Sequence, residues 1–126
     1  MNDPGLKTIT VMEREKTTGR LIKVSEIVMA LGADNIEYDD EADEIIIGSI
    51  PDFLACMKKM TGEDVPVPGG MAIARKSVDN AGWVIDNILN HEGTKLAQIS
   101  AAARLGSKVV LGSPFSEGIL VCKMEQ

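Results

Sequence analysis

The apolar positions of this 126-residue chain change period several times along its length. Thr8, Ile9, Thr10, Val11 and Met12 form a β-prone run that can alternate faces, which predicts a strand. The charged stretch after it ends in Thr17-Thr18-Gly19 and predicts a loop. Leu21, Val24, Ile27, Val28 and Leu31 then recur at spacings of three and four, which predicts a helix stopped by Gly32. Short strands are expected at 35–38 and 44–48, joined by an acidic turn. Pro51 suits a first helical turn and Gly62 a stop. The segment between them carries Phe53, Leu54, Met57 and Met60, so a second helix is predicted there.

The run Val65-Pro66-Val67-Pro68-Gly69-Gly70 cannot be helix interior and reads as an extended connection. Met71, Ala74, Val78, Ala81, Ile85 and Ile88 follow at spacings of three and four. They predict a helical seam of about five turns, with Gly82 inside it. Asn90-His91-Glu92-Gly93 interrupts the seam. A last helix is expected over 94–105, carrying Leu96, Ile99 and Ala103 and stopping at Gly106. A closing hairpin is expected from 108–111 and 118–124 around Gly112-Ser113-Pro114.

A shift of 74 positions lays Gly19 on Gly93, Leu31 on Leu105, Gly32 on Gly106 and Ile45 on Ile119. These elements together predict an α+β fold of strand–helix–hairpin units, with possible internal duplication. Its mixed or antiparallel sheet would be covered by helices on one side. Residues 1–6 contain Asp3-Pro4-Gly5 and are expected to be a disordered lead-in to a single domain over 7–126.

Composition narrows the classes of function. The net charge is −6, and the 13 Lys and Arg residues are scattered, so no basic face suited to nucleic acid is expected. No stretch approaches the ~20 apolar residues of a membrane helix. Cytoplasm is the expected location, and the two cysteines, Cys56 and Cys122, are expected to be buried free thiols. Aromatic residues make up 3% of the chain, so the core must be aliphatic.

Candidate chemistry is sparse. Nucleophilic catalysis needs a base beside an activated Ser or Cys, and the single histidine, His91, falls in a break between predicted elements. An enzyme using His91 or a cysteine is one reading left open. The carboxylates of 37–44 lack the glycine and ligand spacing of a calcium loop and read as a solvated hairpin tip. Whether that tip has a function is open. No cofactor is indicated. Gly69-Gly70 leads into the predicted seam helix, whose free N–H groups and dipole would suit a phosphate or carboxylate. Thr18, Gly19 and Arg20 stand at the first predicted strand–helix junction and offer the same chemistry with an added cation.

Residues 19–36, Gly19-Arg20-Leu21-Ile22-Lys23-Val24-Ser25-Glu26-Ile27-Val28-Met29-Ala30-Leu31-Gly32-Ala33-Asp34-Asn35-Ile36, resemble the opening of an ACT-type regulatory domain. That resemblance implies a ferredoxin-like βαββαβ unit that pairs with another and binds a small effector, often an amino acid. The effector would lie near Thr18, Gly19 and Arg20. Bacterial microcompartment shell domains have a similar strand–helix–hairpin–helix order, and likeness to them implies a hexameric tile instead. The leading expectation is a non-enzymatic, oligomeric small-molecule-binding or regulatory protein, self-associating through the seam. A small anionic or amino-acid ligand is the expected partner. A structural or interaction subunit of a larger assembly is the alternative.

Overall fold

The computed structural model describes residues 1–3 and 7–124. Ten strands and one helix follow in the order β1 (Asn2–Asp3), β2 (Thr8–Arg14), β3 (Leu21–Val28), β4 (Gly32–Asp39), β5 (Glu44–Ile50), α1 (Phe53–Met60), β6 (Gly69–Lys76), β7 (Trp83–His91), β8 (Ala101–Leu105), β9 (Lys108–Gly112) and β10 (Ile119–Lys123). They form a central sheet in the order β4-β5-β6-β7, an N-terminal sheet β1-β2-β3 and a C-terminal sheet β8-β9-β10. Every pairing is antiparallel.

The central sheet lies between the other two. Successive side chains of a strand point to opposite faces. Ile46, Met71 and Ile73 therefore pack with Val109 and Leu111 of the C-terminal sheet. Ile45, Ile47, Ala72 and Ala74 face the other way and pack with Ile9 and Ile27 of the N-terminal sheet. Strands buried on both faces read as unbroken apolar runs rather than alternation. Ile45-Ile46-Ile47 and Met71-Ala72-Ile73-Ala74 are such runs.

The expected helix-covered α+β sheet, with its duplicated helix–hairpin units, is thus replaced by a mostly β architecture with one short helix. Three predicted helices are the source of the difference. Residues 21–28 are β3, where four β-branched side chains favour an extended chain. The seam of 71–88 is the hairpin β6–β7, broken at its centre by a tight loop. In that loop Asn80 has φ 55°, and the Asp79 carboxylate accepts bonds from the Ser77 hydroxyl at 2.6 Å and the Ala81 N–H at 3.0 Å. Residues 94–100 cross the central sheet without regular structure, and β8 takes the rest of the third predicted helix.

The strand beginning at Thr8, the strands around 35–38 and 44–48, α1 and the β9–β10 hairpin stand where the pattern placed them. Asp52 caps α1, its Oδ1 accepting from the Ala55 N–H at 2.9 Å. Of the expected lead-in, residues 4–6 lie outside the described residues, and Asn2–Asp3 pair with Thr8 and Ile9. Among the described residues no helix is long and apolar enough to cross a membrane.

Candidate functional site: a groove between two sheet edges

The two glycine junctions singled out by sequence, at 18–20 and 69–70, do not stand at helix starts. Gly69 and Gly70 are the first residues of β6, paired with His91 and Asn90. A Cβ at Gly69 would stand 2.6 Å from the Ile99 backbone N, and one at Gly70 2.5 Å from the Ser49 hydroxyl. The space beside both glycines is filled by protein, and no helix dipole is present to hold an anion.

Thr18, Gly19 and Arg20 form the turn of the β2–β3 hairpin rather than a strand–helix junction. Gly19 has φ +72°, a left-handed conformation that favours glycine. Two of the turn's backbone N–H groups and the Thr18 hydroxyl are spent within it, while the exposed Arg20 guanidinium is in no ion pair among the described residues. The Gly19 N–H donates to the Glu15 carbonyl at 2.8 Å, the Arg20 N–H to Thr18 Oγ1 at 3.2 Å, and the Thr18 hydroxyl to the Glu15 carboxylate.

Cys56 and His91 each have other partners. The buried Cys56 thiol donates to Gln98 Oε1 at 3.0 Å, and Gln98 Nε2 donates to Asp34 Oδ2 at 2.8 Å. Burial, and then the Asp34 charge, push the thiol's pKa upward, opposite to what a nucleophile needs. Burial also raises the Asp34 carboxyl, partly offset by the Gln98 bond. His91 Nδ1 accepts from the Gly93 N–H at 2.9 Å. Cys122 lies half-buried on β10. Among the described residues no cluster of three or more His, Cys, Asp or Glu is arranged to hold a metal ion.

A larger concave feature than these lies elsewhere. β4 ends the central sheet and β8 ends the C-terminal sheet. They meet where the Asn35 N–H donates to the Ser100 carbonyl at 2.9 Å. Beyond that point they run side by side without pairing, and a groove opens between them. One cavity of about 270 Å³ is lined by Ile36, Ala101, Val110 and Ile119 among others. A second, of about 530 Å³, continues it and shares Glu37 and Ala103. Small side chains at Ala101 and Ala103 leave the room.

The acidic hairpin 37–44 forms one rim. Arg104 of β8 closes the floor, with its Nε 3.2 Å from Asp39 Oδ2 and its Nη2 donating to Glu44 Oε2 at 2.5 Å. Glu44 also lies 3.8 Å from Arg75 Nε. Tyr38 donates its hydroxyl to Asp43 Oδ1 at 2.6 Å, and that bond, more than any other cause, raises the phenol's pKa. Among the described residues Glu37, Asp40 and Glu41 have no cation partner, so the rim carries free negative charge into the groove.

Beside the groove, the outward face of the C-terminal sheet carries two apolar, uncovered rows, and beyond them Leu105 with Lys108 and Lys123. Ala103, Val110 and Val121 form one cross-strand row, and Ala101, Gly112 and Ile119 another. Ile119 is 67% exposed and Val121 51%. The acidic segment stands out in the sequence, but only as a solvated hairpin tip. Its partner strand lies some sixty residues on, within a predicted helix, so only the fold brings the two together. No protein-family model matches the chain, and no curated protein matches it.

Proposed function

We propose that this protein is a non-enzymatic interaction module that holds an extended, basic polypeptide segment in the groove between β4 and β8. The observation that carries this reading is the pair of sheet edges, β4 and β8, which touch at Asn35 and Ser100 and then leave an acid-rimmed gap. An edge strand presents unpaired N–H and C=O groups and is a template for another strand. An added segment gains main-chain bonds from the edge, and its alternate side chains find the pockets that give specificity. Here one set of side chains would rest on Ala101, Ala103 and Val110. Lysines or arginines of the segment would meet Glu37, Asp40 and Glu41.

A peptide of alternating valine and lysine, about eight residues long like an ordinary strand, is a direct probe. Fluorescence anisotropy of the labelled peptide should show saturable binding that weakens with salt. The valine–glutamate counterpart should not bind. The variant Asp40→Lys/Glu41→Lys should bind the basic peptide about tenfold more weakly, because two attractions become repulsions. Equal binding of both peptides, or unchanged affinity in the variant, would refute the groove as the site.

A further inference from the structure

We infer that the segment the groove receives is the β2–β3 hairpin of a second copy of this chain; the inference rests on the groove reading above. The far half of that hairpin is an arm without a body beneath it. On β3 only Ile27 is buried, and on β2 only Ile9. β3 carries four exposed aliphatic side chains, Leu21, Ile22, Val24 and Val28, at 60%, 47%, 53% and 68%. The bulge opposite Val11 and Met12 divides them between the strand's two faces. An apolar strand exposed in this way is a ready surface for another chain.

The arm is also an open strand. β3 ends its sheet, so its outer edge is unpaired, and its eight residues equal the eight of β4. The charges are complementary as well. Arg14, Lys16 and Arg20 gather at the arm's tip beside Glu13 and Glu15, in a chain whose net charge is −6, while Lys23 is paired with Glu26 at 2.9 Å. The groove rim offers Glu37, Asp40 and Glu41.

The sheet that bears the arm and the sheet that borders the groove lie on opposite sides of the central sheet, as the alternation of Ile45, Ile46 and Ile47 fixes. The arm of one copy therefore meets the groove of another and not its own. Exposed aliphatic side chains of the arm would rest on Ala103 and Val110, with the arm's tip among the rim carboxylates. Donor and acceptor surfaces differ, so the contact is heterologous and joins successive copies head to tail.

Sedimentation velocity and light scattering, over a range of concentration and salt, test this on the intact chain. The wild type should grow through dimer to larger species at low salt and dissociate at high salt. The variants Lys16→Glu/Arg20→Glu and Asp40→Lys/Glu41→Lys should each be monomeric, since arm and groove then carry like charge. Mixing the two in equal amounts should restore association. Circular dichroism that matches the wild type would exclude misfolding as the reason for the loss. A chain that stays monomeric up to millimolar concentration while its groove binds the valine–lysine peptide overturns the second-copy inference and leaves the groove reading standing. A monomer whose groove binds no peptide removes both. Association that neither charge reversal affects overturns the arm-in-groove contact.

Discussion

A methyl group at position 69 has no room. The crossover segment passes so close to β6 that the Ile99 backbone N would lie 2.6 Å from a Cβ there. Backbone cannot turn aside as a flexible side chain can, so β6 or the crossover must shift. That crossover buries Leu96, Gln98 and Ile99 in the core. Gly69→Ala is expected to cost about 1–3 kcal/mol, the range for overpacked interiors. Gly82→Ala is the matched control, because nothing lies within 4 Å of its Cβ position and its φ is not left-handed. Its effect should stay within about 1 kcal/mol. Urea unfolding of the two variants beside the wild type decides the matter, and equal midpoints would show that the crossover yields freely. Gly69 was visible in the sequence as a special residue. Its reason, a backbone passing thirty residues later in the chain, was not.

At the scale of elements, what the sequence revealed depended on how many faces a segment buries. α1 was legible because its signals are local: Pro51 at the start, Gly62 after the end, and apolar residues spaced three and four apart between. β2, β4, β5 and the β9–β10 hairpin were legible from β-prone runs set off by turn residues. β3, β6 and β7 misled because they carry apolar side chains on both faces, which removes the period of two and leaves chance spacings of three and four. In β6 the cause is the core on either side, and in β3 it is the uncovered arm. The groove was illegible for a related reason, since one wall was expected to be helix. α1 gives an element-level test. Eight residues are too few to hold a helix alone, and Cys56 is its one buried residue. The Asp52 cap therefore carries an unusual share of its stability. Asp52→Ala should cost about 0.5–2 kcal/mol. Amide exchange across 53–60 should quicken while the β5 and β6 amides stay protected. Uniform loss of protection would mean that α1 is tied to global unfolding.

For the molecule as a whole, the arm separates what folding requires from what it leaves exposed. Ile9, Ile27 and Met29 anchor the N-terminal sheet to the central one, and all three lie outside the arm's far half. The register pairs Met12 with Lys23, Glu13 with Ile22 and Arg14 with Leu21. Residues 13–22 can therefore be replaced by Asn-Gly, a pair that suits a tight hairpin turn joining Met12 to Lys23. Trp83, the single tryptophan, reports on the result. Its partly buried ring packs against the core between the two sheets, and its Nε1–H donates to Ser25 Oγ at 3.2 Å. The shortened chain should keep the wild-type tryptophan emission and lie within about 1 kcal/mol of its stability, because the removed strand ends bury little apolar area. It should also be monomeric under conditions where the full chain associates. A red-shifted emission with early unfolding would instead make the arm part of the fold's own stability, and its exposed Ile22 and Val24 would then need no second copy to explain them. Intact emission together with lost association assigns the arm to assembly alone.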